Sequence, residues 1–562
     1  MSRNTETNTE IIATEESANT NPNGASVTHS EESTKKAFKI AVPIAILMLV
    51  AVVAAIFFGG NTPYGERKDL VLFHGVNKTF IAFNNGTQTE TDFKVHDIQH
   101  SLDGAAAAIM FDFDSTAGKG TLYYARGELL HYVADNVYGY ALADSGDSVI
   151  YFTELNSSGN TAVLNLYDGS VGSVGVIDND VFYDRYSSSA STVISPDGET
   201  VFYLKDGNGY VSTGGDAGFE IGVGNITPIA VADGAKYLYY TLGGSFVVQS
   251  GTNGEPLEIA GGSVYGIFFN NDYSQVVFNE SAGRMNALIS IGGGESRKIA
   301  NTQISEFIIP ENGQARSDSG YAVYGFADFK DKVFYSGDGI FLLNSEFERE
   351  RIANYASEII MSSDGKQVFF LEGTKLKVAT VSEPGGRKHV LAEDVVRFAV
   401  ASGGNFYYVN TGNELYRQNA RNVQSNSAAG TWVAEFVNAD SLTKSGNGTL
   451  FFLSSDDELF SATNTGKTRI KAGVVKVEAY SNNVFYYTDE GEGFYDVYRS
   501  GGNSRFTRLL YDVKLGNIST DFSGDSWDDF DLSETDSWDD YDWDDYDWDE
   551  EDYYDDDYYW DD

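Results

Sequence analysis

The sequence predicts an all-β chain of repeated strand–turn–strand units, preceded by one apolar helix and followed by an acidic tail. Three observations predict it. Gly (59), Tyr (36) and Phe (36) are abundant and Pro is scarce (8) among 562 residues, the profile of short strands joined by tight turns. Apolar and aromatic runs return at near-regular intervals over several hundred residues, as repeat architectures require. A single uncharged apolar stretch stands near the N-terminus, long enough to be a membrane span.

Residues 1–37 come first, rich in Asn, Thr, Ser and Glu with almost nothing to bury, so a disordered leader is expected. The span follows at residues 38–59. Its core, Ile40 to Phe58, carries no charge; with its flanks it makes about 20 residues, enough at ~1.5 Å per residue to cross a ~30 Å hydrocarbon layer. Pro43 falls in the first turn, where a missing amide hydrogen costs little. Lys35, Lys36 and Lys39 precede this uncharged core, and only the mixed cluster Glu66, Arg67, Lys68, Asp69 follows it. The positive-inside rule then puts the N-terminus in the cytoplasm and everything after the span outside. A cleaved signal has a short basic start and an apolar core of roughly 7 to 15 residues. Here 39 residues precede Ile40, and Phe57 and Phe58 close the run, so a retained signal-anchor is expected.

From about Lys68 to Val513 one pattern recurs: a polar turn with Asp, Asn or Gly, an apolar and aromatic pair, then another turn. The clearest copies are Ser195-Pro196-Asp197-Gly198 before Val201-Phe202-Tyr203-Leu204, and Ser363-Asp364-Gly365 before Val368-Phe369-Phe370-Leu371. Weaker ones centre on Asp103-Gly104, Asp233-Gly234 and Asn271-Asp272. Asp-Gly supplies a turn with positive φ, and aromatic and β-branched residues fill the faces between sheets. About eleven hairpin units are present, most 34 to 44 residues apart, with longer steps before Val201 and before Val333 that leave room for insertions. That period is the length of one four-stranded propeller blade. The expected fold of residues 66–515 is therefore a β-propeller, as one large ring or as two rings joined near Pro310-Glu311-Asn312-Gly313.

Ser-Pro-Asp-Gly followed by a strand resembles the TolB-like propeller repeat, related in architecture to WD repeats. Residues 195–198 match that signature fully, and Ser363-Asp364-Gly365 match it without the proline. The resemblance implies about 450 residues of propeller, and with the cysteine-free exported domain it suggests a bacterial envelope as the setting. Ser195, Pro196, Asp197, Gly198, Ser363, Asp364 and Gly365 are read as structural, because turn chemistry already accounts for them.

The chemistry of the chain is bounded mainly by what it lacks. TolB-like propellers sometimes precede a serine peptidase domain, but no Gly-x-Ser-x-Gly elbow occurs. With no cysteine, disulfides, thiolate metal sites and cysteine nucleophiles are excluded together. The six histidines are scattered. His96 and His100 are four apart, but on an extended strand that spacing is ~13 Å, too far to share one ion. The net charge of −45 repels nucleic acid. No cofactor is expected, and the sequence does not assign a metal.

Residues 516–562 form the last segment. Asp521 to Asp562 holds 22 acidic residues and no Lys or Arg, with five of the six tryptophans: Trp527, Trp538, Trp543, Trp548 and Trp560. Dense like charge prevents a compact core, so an extended, disordered tail is expected. Its carboxylates suit weak divalent-cation binding or a basic partner, and its rings suit cation–π contacts worth ~0.5–1 kcal/mol each; a solvating brush with no partner is the other reading. Together these features predict a membrane-anchored, extracytoplasmic, non-enzymatic module that binds a protein or a cell-envelope polymer. An envelope hydrolase or lyase with carboxylates at the propeller channel, and a surface sensor, are the alternatives.

Overall fold

The computed structural model describes residues 71–514 apart from 75–78, 83–87, 92–94, 127–128, 184–190, 311–312, 319–320, 421–429, 464–465, 481–482 and 503. The leader, the apolar run and the acidic tail lie outside the described residues. Among those described, no helix is long and apolar enough to cross a membrane.

The described residues form sheets that are antiparallel in all strand pairs but one, with three short 3₁₀ turns among them. A three-stranded unit (71–91) is followed by ten four-stranded blades in chain order. They span residues 95–137, 139–182, 192–223, 226–260, 263–300, 304–353, 359–392, 395–434, 443–472 and 474–514, numbered here first to tenth. The second and third share one continuous sheet through the pair Val181–Lys205. In all but the sixth, where a hairpin intervenes, each strand pairs with its sequence neighbour. This is the meander of a propeller blade.

The aromatic pairs explain how the blades stack. Successive residues of a strand point to opposite faces, so each blade can pack on both neighbours. Val201 and Tyr203 enter the core shared with the second blade, whereas Phe202 enters the core shared with the fourth. In the seventh blade Val368 and Phe370 face the sixth, and Phe369 and Leu371 face the eighth. Every consecutive pair of the ten blades shares such a core. Full burial of each Phe or Leu contributes about 1.5–3 kcal/mol.

The longer step before Val333 has a structural cause. A hairpin, Ala315–Asp318 with Tyr321–Tyr324, is inserted between the first strand of the sixth blade (Ile304–Ile308) and its second (Lys332–Ser336). It belongs to the fifth blade by pairing: Tyr321–Tyr324 runs parallel to Ser263–Phe269, with Ile267 opposite Tyr321 and Phe269 opposite Val323. The residues around Pro310 and Gly313 therefore lead into this hairpin.

Candidate functional site: the junction of blade turns

In the first, third, fifth and seventh blades the turn between the first and second strands is held by one hydrogen-bonded clamp. In the first blade Ser101 Oγ donates to Asp103 Oδ1 (2.7 Å) and accepts from the Ala106 amide (2.9 Å), while Asp103 Oδ1 accepts from the Ala105 amide (2.9 Å). The third blade repeats it. Ser195 Oγ donates to Asp197, the Thr200 amide donates to Ser195 Oγ (2.9 Å), and the Glu199 amide donates to Asp197 (3.0 Å). Pro196 supplies the carbonyl that receives the Ser145 amide of the second blade (2.8 Å), and Gly198 has φ +79°. In the seventh blade the clamping hydroxyl is that of Ser362, which donates to Asp364 (2.7 Å) and receives the Gln367 amide (2.9 Å). Ser363 takes the place of the proline and is exposed, and Gly365 has φ +68°. The Ser362 hydroxyl, followed by the Lys366 amide, holds the Asp364 carboxyl below the ordinary range. Asn270 and Asp272 build the same clamp in the fifth blade, where the Gln275 amide donates to Asn270 Oδ1 (2.9 Å).

The fifth-blade clamp departs from the others at its fourth position. Tyr273 stands where the first, third and seventh blades place glycine, with φ +55°. A bulky residue in the left-handed region is strained and calls for a compensating contact. The contact is a buried one: the Tyr273 hydroxyl donates to Asp144 Oδ2 at 2.9 Å, across 129 residues of sequence. Its ring stacks on Phe269 (4.8 Å), and the Tyr239 hydroxyl donates to its carbonyl (2.8 Å). Arg316, from the inserted hairpin, completes the cluster. Its Nη2 lies 2.8 Å from Asp144 Oδ1, and its Nη1 donates to the Leu142 carbonyl (3.1 Å). Asp144 Oδ1 has no aligned hydrogen-bond donor, so the 2.8 Å approach of Arg316 to it is chiefly electrostatic. Side-chain exposure is 4% for Asp144 and 14% for Arg316. Burial, then the Asp144 charge, pushes the Tyr273 phenol well above its ordinary range, so it stays protonated and donating.

Backbone contacts tie the neighbouring turns into the same rim. The Leu102 amide donates to the Asp144 carbonyl (2.8 Å), linking first blade to second. The Asp197 amide donates to Asp233 Oδ1 (3.0 Å), linking third to fourth. Asp233 reaches solvent on one side; even so, loss of hydration by its carboxyl, then the charges of Asp197 and Asp144, raise its pKa to about 6. The junction thus contains a fixed ion pair, a fixed phenol donor and one carboxyl able to exchange a proton near neutral pH.

The other residues singled out in the sequence lie elsewhere. His96 and His100 both occur on the strand Val95–His100; His96 stacks on Phe113 (3.8 Å), and burial lowers the His100 pKa to about 4. Among the described residues, no group of three His, Cys, Asp or Glu is placed to hold a metal ion. Trp527, Trp538, Trp543, Trp548 and Trp560 lie outside the described residues. Sequence reasoning missed Asp144, Tyr273 and Arg316. A usable signal existed only at Tyr273, a tyrosine where the repeat asks for glycine.

No family model and no curated protein matches the sequence. Solved structures similar to the chain include a eukaryotic initiation factor (TM-score 0.38, 10% identity, covering 63% of this chain and 93% of that one). They also include TolB from Acinetobacter baumannii (TM-score 0.25, 15% identity, 44% and 70%) and the GH74 enzyme of Niastella koreensis (TM-score 0.27, 12% identity, 79% and 92%). At these scores the propeller assignment rests on the sheet topology and the shared blade cores.

Proposed function

We propose that the chain is a single-pass, membrane-anchored propeller displayed outside the membrane, acting as a binding or scaffold module for a protein or a cell-envelope polymer. The observation that carries this reading is the clamp. Asp103, Asp197, Asp272 and Asp364 each hold a turn in place, so the repeated carboxylates rigidify a frame whose remaining loops are free to vary. Anchoring and orientation rest on the apolar run Ile40 to Phe58 and on Lys35, Lys36 and Lys39. Proteolysis of intact cells tests them: peptides from residues 66–562 are expected in the medium, and release of residues 1–37 instead reverses the orientation. Arrays of envelope glycans and peptides probed with the full chain test the binding role. Saturable retention without turnover is the expected result.

A second reading, an envelope hydrolase or lyase, draws on one observation: Asp233, its pKa raised to about 6, stands beside Asp197. A carboxyl of raised pKa beside a second acidic side chain is the arrangement of an acid–base pair. Turnover of an arrayed substrate that Asp233→Asn abolishes would establish this role over the first.

A further inference from the structure

The outer strand of the ninth blade, Gly466–Ala472, carries Lys467, Arg469 and Lys471, all exposed. With Lys476 they place four cations and no acid in ten residues of a chain whose net charge is −45. Arg469 is paired with Glu458. Lys467 and Lys471 have no carboxylate partner among the described residues; each instead lies over a ring, Lys467 over Phe460 (4.2 Å) and Lys471 over Tyr498 (5.8 Å). The strand pairs with Glu458–Thr463 on one side, and no described strand pairs with it on the other. Open edges of this kind template an added chain.

We infer that this edge is the docking site of the chain's own acidic segment, residues 521–562. Charge supports the assignment: the segment holds 22 carboxylates and no cation, whereas the edge holds two cations without acidic partners. Chain length supports it too. The last strand, Thr507–Lys514, is the outer strand of the adjacent tenth blade. Adjacent sheets lie roughly 10 Å apart. The eleven residues 515–525 can reach as far as ~36 Å. The spacing of the tail suits an edge strand: in Tyr541-Asp542-Trp543 and Tyr546-Asp547-Trp548 rings and carboxylates alternate, so a strand would present them to opposite faces. Docked there, the tail covers the basic edge and withdraws its own carboxylates from other cations.

Zero-length carbodiimide cross-linking of the purified full chain, mapped by peptide mass spectrometry, tests the inference. Lys467 and Lys471 are expected to link to Asp or Glu of residues 521–562 several-fold more than the exposed Lys366 and Lys375 do. The preference should vanish in 0.5 M salt, where screening shortens to a few ångströms. In Lys467→Glu/Lys471→Glu, amide exchange of Gly466–Ala472 should quicken at low salt; the charge-neutral Lys467→Gln/Lys471→Gln pair should give a smaller change in the same direction. Equal linking at all four lysines overturns the inference. So do links that join isotopically light chains to heavy ones in a mixed sample, because the contact is then between copies.

Discussion

Tyr273 and Asp233 show how single residues bear opposed costs. A left-handed Tyr costs on the order of 1–3 kcal/mol, and a buried hydrogen bond to a carboxylate, worth about 1.5–3 kcal/mol, offsets it. Tyr273→Phe keeps the strain and leaves Asp144 Oδ2 without this donor. The expected loss is about 2 kcal/mol, read as a lower urea midpoint. Asp233 works through protons. Its folded pKa of about 6 lies above the ordinary 3.8, so the folded state binds more protons than the unfolded one between those values. That stability is fully present below about pH 4 and is lost as pH rises through 6. Asp233→Asn keeps an acceptor for the Asp197 amide and removes the loss. Its stability, read from thermal midpoints, should match the parent at pH 4 and exceed it at pH 7.5, by about 1 kcal/mol or less because the side chain reaches solvent. A uniform offset at both pH values would exclude this linkage. The sequence displayed Asp233 as one more Asp-Gly turn, because its pKa depends on neighbours that only folding brings near.

At the scale of turns and strands much was legible, since the signal there is local. A period of two is written into Val368-Phe369-Phe370-Leu371, and the structure sends its residues to alternate cores. Serine identity within the clamp was less legible. Ser362 and Ser363 are adjacent and chemically identical, and what distinguishes them is that Ser362 donates to Asp364 and accepts from the Gln367 amide. Ser362→Ala should cost about 1–2 kcal/mol by orphaning that amide, whereas Ser363→Ala should be near neutral; denaturant midpoints of the two variants decide it. The hairpin at 315–324 was hidden for another reason. Its Pro and Gly lead-in is also what a linker looks like, and its parallel pairing partner lies some fifty residues upstream.

At the scale of the molecule, stability comes from cores shared by consecutive blades, so damage to one face is felt by its neighbour. The Asp144 junction adds a link that skips the sequence order, joining the second blade to the fifth. Arg316→Ala leaves the Asp144 charge buried with only the phenol for support, and about 3 kcal/mol should be lost. In combination with Tyr273→Phe the effects should depart from additivity by at least ~0.5 kcal/mol, because both partners serve one carboxylate. Additive losses would show that the two contacts are independent.

The Asp144 link also sets an order of events in time. A chain made from its N-terminus completes the second blade long before Tyr273 emerges, and Arg316 is 174 residues beyond the carbonyl it binds. Until then Asp144 keeps its water, and the early blades stack without their fastening. Fastening of the second blade to the fifth is therefore a late, long-range step, slow in the way that non-local contacts are slow. A nascent chain halted before residue 316 should hold its hairpins yet remain open to protease at the turns, and it should become resistant when the inserted hairpin arrives.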